Sequence, residues 1–189
     1  MTALLTPPPR TVVLVGLMGA GKTNIGRRLA ARLHLPFVDA DTEIEAAAGE
    51  TIEDIFRRHG EAVFREGERR VIARLLETPV HVLATGGGAF MDGQTRANIR
   101  ARGISIWLRA DLELLVARVA RRSNRPLLKG GDVRSILAAL IEKRYPIYAE
   151  ADITVDSIDG PPELTLTKLL EQLEAYVAQH YAPAAEAAR

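Results

Sequence analysis

The stretch TVVLV at residues 11–15 runs directly into GLMGAGKT at residues 16–23, and no other part of the chain narrows its possible folds as much. Five β-branched or apolar residues in a row read as a strand buried on both faces. From Ile25, apolar residues recur at helical spacing through Leu29 and Leu33. Between strand and helix stands the pattern G-x-x-x-x-G-K-[ST], whose glycines let a loop wrap tightly and turn successive backbone N–H groups toward one centre. The helix behind it adds the positive end of its dipole, so a phosphate is met by fixed donors. Lys22 brings a point charge to the β- and γ-phosphates of a nucleotide, and Thr23 offers a hydroxyl to its magnesium ion.

Beyond this unit, short apolar runs alternate with longer amphipathic ones. Strands are expected at 35–38, 80–84, 104–108 and 153–155. Helices are expected from about Glu43, at 52–58, 61–77, 94–102, about 112–121 and 132–149, and after Pro161 and Pro162. Strands separated by helices imply parallel crossovers and a sheet covered on both faces. The fold class is therefore α/β, a three-layer α/β/α sandwich of the P-loop type around a parallel sheet of about five strands. We expect a single domain over residues 11–181, a proline-led lead-in at 1–10 and a flexible tail at 182–189. Ligands of such sheets sit beyond the carboxyl ends of the strands.

Composition removes several alternatives. The 25 basic and 24 acidic side chains nearly cancel, so nucleic acid, which calls for a clustered basic excess, is not an expected partner. With no cysteine, thiolate chemistry and cysteine-held zinc are excluded, and the four histidines match no zinc-ligand spacing. No apolar run approaches the ~20 residues of a membrane span. The first ten residues also lack the basic start and long apolar stretch of a secretory signal, so a cytoplasmic protein is expected.

The segments that follow the other strands carry the substrate-side clues. Strand 80–84 runs into Thr85-Gly86-Gly87-Gly88 with no carboxylate until Asp92, so an acidic helper must come from elsewhere. Phe37-Val38-Asp39-Ala40-Asp41 supplies two carboxylates that project to one side of an extended chain. Should that strand neighbour the first, the side faces the phosphate loop. Thr42 and Glu45 fit a capping box for the next helix, which leaves Asp41 without a necessary structural task. Three consecutive glycines point to a backbone that something approaches closely. Arginines in Phe64-Arg65-Glu66-Gly67-Glu68 and Lys143-Arg144-Tyr145-Pro146 gain meaning only in combination with these motifs.

Together GLMGAGKT, Ile25-Gly26-Arg27-Arg28, the Asp-Ala-Asp pair, FREGE, TGGG, Arg125-Pro126-Leu127-Leu128, and Arg144 before Pro146 resemble shikimate kinases, in family order, from about Thr11 to Gln179. The resemblance implies transfer of the γ-phosphoryl group of ATP to the 3-hydroxyl of shikimate, with Mg2+ as cofactor and a monomer as the working form. It assigns Lys22, Asp41 and Arg125 to catalysis. Contacts with ATP fall to Gly19, Ala20, Gly21, Lys22, Thr23, Asn24 and Arg125. By the same resemblance Asp41, Arg65, Gly87 and Arg144 hold shikimate, the two arginines gripping its carboxylate. Thr23 touches the metal directly and Asp39 through water. Arg125 sits on a lid at about 121–132, with Arg122 a candidate for the adenine side. Met18 and Asn24 vary from the family pattern, at positions where side-chain identity should matter little. The alternatives are another small-molecule kinase, such as a gluconate-type enzyme, and a non-catalytic nucleotide-binding regulator of the same fold. The absence of an Asn-Lys-x-Asp segment argues against a GTPase.

Overall fold

The computed structural model describes residues 7–121 and 132–181. Strand β1 (Thr11–Val15) is buried along its whole length, as befits a strand with neighbours on both sides and helices on both faces. It lies third in a sheet of order β2-β3-β1-β4-β5, in which every pair is parallel. The others are β2 (Phe37–Asp39), β3 (Val82–Ala84), β4 (Gly103–Arg109) and β5 (Ile153–Asp156). The five-stranded parallel sheet matches the expectation from sequence. One neighbour relation does not: β2 pairs with β3 at the edge of the sheet, not with β1.

Parallel neighbours need crossovers, and their right-handedness fixes which face each helix covers. The step from β1 to β2 sends α1 (Lys22–Leu33) over one face. Every later step runs the opposite way along the sheet. Those steps pass through α2 (Ala40–Ala48) and α3 (Ile52–Leu75), then α4 (Gly93–Arg102), then α5 (Leu112–Ala120) and α6 (Val133–Tyr148). They cover the second face, where α3 packs on α4, while α7 (Pro162–Tyr181) returns to lie against α1. Leu14, Leu29, Ile72, Ile106, Leu115 and Leu137 are fully buried between these layers.

Because the connections after β1 and β3 leave toward opposite faces, a crevice opens between the carboxyl ends of these two adjacent strands. The first loop in it is the Gly16–Gly21 segment, and the second is Thr85–Gly88. Expected helix 132–149 is α6, and expected helices 52–58 and 61–77 are two halves of α3. They are separated at Gly60, whose φ of 83° and ψ of 171° break the helix. The candidate lid positions Arg122 and Arg125 lie outside the described residues, as do the leading residues 1–6 and the tail at 182–189.

Two glycines of α3 lead to opposite predictions for one substitution. A Cβ would meet nothing within 4 Å at either Gly60 or Gly67. Gly60 occupies a backbone region almost reserved for glycine, so Gly60→Ala should destabilise by about 1–3 kcal/mol through strain alone. Gly67 has no positive φ, so Gly67→Ala should stabilise by up to about 1 kcal/mol through helix propensity. Urea unfolding of both variants checks the pair, and equal signs would contradict it.

Candidate active site

A cavity of about 500 Å³ fills the crevice. One wall is the start of α1. Its N-cap is Gly21, left-handed at φ 100° and with no side chain to cap the helix, so the first-turn N–H groups are available to an anion. Lys22 Nζ lies against the loop itself, donating to the carbonyls of Gly16 at 2.7 Å and Leu17 at 3.0 Å. Gly19, Gly21, Lys22, Thr23 and Asn24 all line this wall.

Asp39 and Asp41 line the facing wall, but by a different geometry from the one expected. Helix α2 begins at Ala40, so Asp41 lies in its first turn and not in extended chain. Its N-cap is Asp39, whose Oδ1 accepts the Asp41 N–H at 3.1 Å. The capping box expected from Thr42 and Glu45 is not used; Glu45 instead accepts the Ile52 N–H at 2.9 Å, tying α2 to the start of α3. Asp39 therefore does carry a structural task. Its other oxygen, Oδ2, accepts the Thr23 hydroxyl at 3.0 Å. Although β2 is not beside β1, Thr23 at the start of α1 spans the gap and joins Asp39 to the phosphate loop.

Of the three glycines after β3, Gly86 and Gly87 line the cavity. A Cβ on Gly86 would stand 2.9 Å from both Asp41 Oδ1 and Glu68 Oε1, and one on Gly88 would stand 2.5 Å from Arg65 Nη1. Side chains of the protein itself thus crowd this turn, and a larger residue at Gly86 or Gly88 would have to displace the carboxylates of Asp41 and Glu68 or the guanidinium of Arg65. At Gly87 the corresponding contacts are ordinary, with Met18 N at 3.5 Å and Arg144 Nη1 at 3.7 Å. Arg144 donates to the Gly87 carbonyl at 2.9 Å. Arg65 pairs with Glu68 at 2.7 Å and with Glu61 at 3.3 Å. Asp41, Arg65 and Arg144, from three separate helices, therefore meet around a single glycine turn.

Against this geometry, the family model described as "Shikimate kinase" matches residues 18–174. The chain belongs to the shikimate kinase family. Among its relatives, the shikimate kinase of Paramagnetospirillum magneticum is 64% identical over 168 residues, 89% of this chain and 86% of the relative. That of Bradyrhizobium diazoefficiens is 56% identical over 168 residues, 89% and 81% respectively. Among solved structures, the Acinetobacter baumannii shikimate kinase in complex with shikimate superposes with a TM-score of 0.83 at 39% identity, covering 88% of this chain and 93% of that one. As a shikimate kinase homologue the chain is an ATP-dependent phosphotransferase, with no helix among its described residues long and apolar enough to cross a membrane.

Three residues of this shikimate kinase site were given no role by sequence reasoning. Glu68 is 2% exposed and its Oε1 has no hydrogen-bond partner in the protein; its position three residues after Arg65 in FREGE was the available signal. Tyr148 is wholly buried, and its hydroxyl donates to the Gly87 carbonyl. Arg118 lines the cavity and donates to Ser157 Oγ at 2.8 Å, to the Ile158 carbonyl at 2.8 Å and to the Gly19 carbonyl at 3.3 Å. Arg121 lines the same cavity, and the candidate Arg122 lies outside the described residues.

Burial raises the Glu68 carboxyl above its ordinary value; Arg65 opposes the shift, and Asp41 and Asp92 reinforce it. The folded state then binds a proton at Glu68 more readily than the unfolded chain does, so this group's contribution falls as pH rises above the ordinary value of 4.5. Glu68→Gln cannot ionise. Its unfolding free energy should therefore gain on that of the native chain as pH rises from about 4 to 7. Paired urea titrations check this, and the opposite trend would mean that the Arg65 pairing outweighs desolvation.

Proposed function

We propose that the chain phosphorylates the 3-hydroxyl of shikimate with ATP, giving shikimate 3-phosphate and ADP, within one kinase domain over residues 11–181. The observation that carries this reading is the convergence of Asp41, Arg65 and Arg144 on the glycine turn beside the phosphate loop. Two guanidinium groups match a carboxylate and stay charged at any working pH. A neutral sugar or a nucleotide base gives such a pair no comparable partner, and gluconate, which does carry a carboxylate, is discriminated by direct assay. Residues Gly19 to Asn24 take the phosphates, through backbone N–H groups and the Lys22 ammonium, with Arg118 on the same side of the cavity. Arg125 remains the candidate lid group.

Asp41 accepts the proton of the 3-hydroxyl as that oxygen attacks the γ-phosphorus, and the bond to the β–γ bridging oxygen breaks to release ADP. Gly87 lets the ring approach the backbone. Glu68 steers Arg65 by pairing with one of its nitrogens. Thr23 and Asp39, joined by the hydrogen bond from the Thr23 hydroxyl to the Asp39 carboxylate, present hard oxygen donors that would hold Mg2+. Magnesium bound with ATP would neutralise charge on the β- and γ-phosphates. We read a monomer as the working unit, and ATP as co-substrate supports a cytoplasmic setting.

A coupled ADP-release assay with shikimate, gluconate and nucleoside monophosphates offered separately tests the reading. Shikimate alone should drive release, and folded protein giving none with shikimate would reject the proposal. Asp41→Asn should lower kcat by roughly 10²–10⁴-fold with ATP binding nearly unchanged. Turnover close to that of the native chain would remove Asp41 from the chemistry.

A further inference from the structure

The Gly87 carbonyl oxygen accepts two donors, Arg144 Nη1 at 2.9 Å and the Tyr148 hydroxyl. A carbonyl carries two lone pairs, so both bonds are held together. We infer that Tyr148 is a positioning residue for acid-substrate binding: its hydroxyl fixes the Gly87 carbonyl, and that carbonyl in turn anchors the guanidinium of Arg144 at the site. The inference rests on the shikimate reading above and deepens it by adding a residue that makes no contact with substrate.

Three observations support it. Tyr148 is 0% exposed, and a buried phenol requires a partner for its proton; the acceptor it finds is the carbonyl that Arg144 also uses. The ring is held on three sides, by Trp107 at 5.9 Å, Tyr145 at 6.3 Å and Phe90 at 6.4 Å between centroids, so the hydroxyl has a fixed direction. Arg144 is the opposite kind of group, half-buried and long, with much rotamer freedom to lose when it binds. A fixed acceptor removes part of that freedom before substrate arrives. The peptide that follows Gly87 is planar and trans, so holding its carbonyl also directs the Gly88 N–H to the opposite side. Burial pushes the Tyr148 hydroxyl up to about 12, and it therefore remains a donor throughout the range of ordinary assays.

Tyr148→Phe removes the donor and leaves the ring in its aromatic nest. A merely structural loss would disturb both substrates together, whereas the positioning role concerns one. The expected result is a shikimate KM raised about tenfold, the effect of one lost hydrogen bond, with kcat and the ATP KM within about twofold. Tyr145→Phe loses a bond to the Ala110 carbonyl instead, and its shikimate KM should match that of the native chain. In an Arg144→Ala background, Tyr148→Phe should add little, because the two side chains share one carbonyl and lie close enough to interact directly. Emission of Trp107, the single tryptophan, reports whether each variant is folded. If the missing oxygen leaves too large a hole for folding, 4-fluorophenylalanine at 148 fills the volume without a proton to donate, and the same rise is expected. An unchanged shikimate KM, equal rises for both substrates, or full additivity with Arg144→Ala would each overturn the inference. Absence of shikimate-dependent ADP release by the native chain is a separate result, and it would overturn the functional reading itself.

Discussion

The parallel pairing of β1 with β3 is the constraint on which the rest of the site depends. Val12, Val13 and Leu14 lie in register with Val82, Leu83 and Ala84, so the two strands end side by side while their connections leave toward opposite faces. Two glycine-rich loops are thereby brought to one crevice, although some seventy residues separate them in sequence. Thr85 strengthens the junction, its N–H and hydroxyl both donating to the Leu14 carbonyl at 3.2 and 3.0 Å. A phosphate cradle made of backbone and a turn made of glycine then face each other at a distance set by sheet geometry.

The two sides of the crevice are built on different principles. The nucleotide side is local in sequence, with loop, lysine, hydroxyl and helix start falling within residues 16–24. The substrate side is assembled from α2, α3 and α6, each contributing a charged side chain to the same three glycines. Such an arrangement needs rigid anchoring of long side chains, because a misplaced guanidinium binds a carboxylate poorly. Glu68 anchors Arg65 and the Gly87 carbonyl anchors Arg144. Each arginine proposed to grip the carboxylate therefore has a fixed partner that leaves other donors of its fork available.

This division explains how much could be read from the sequence. The local side was legible almost in full, because a strand, eight motif residues and a helix lie in order along the chain. The sheet and most helices followed from periodicity, and the break at residues 59–60 of α3 was visible as a gap between two amphipathic runs. The long-range side was legible only in part. Asp41, Arg65 and Arg144 gained meaning from their joint occurrence in a family pattern, since spacing alone carries no sign that they meet. The position of β2 was not accessible, since an edge strand and an inner neighbour of three half-buried residues look alike in sequence. The capping expectation failed for a local reason. Asp39 ends the strand and caps the helix at once, so α2 starts earlier than Thr42 and Glu45 suggested. The glycine run was read as space for a substrate, yet at Gly86 and Gly88 the space is taken by Asp41, Glu68 and Arg65.

That last difference bears on why such a site is tolerable at all. Among the described residues, three buried side-chain atoms lack a hydrogen-bond partner in the protein: Glu68 Oε1, His81 Nε2 and Trp107 Nε1. The histidine and indole atoms belong to groups that can remain neutral, whereas a carboxylate oxygen beside Asp41 carries the larger desolvation penalty. A protein selected for stability alone would neutralise Glu68 or complete its bonds. It keeps instead an acidic group that orients Arg65 and, with Asp41, surrounds the Gly86 backbone with oxygen acceptors. Hydrogen-bond acceptors clustered at one turn, flanked by two guanidinium groups, suit a ligand bearing both hydroxyls and a carboxylate. The strain in this polar cluster and its fitness for a polyhydroxylated acid therefore have the same physical origin.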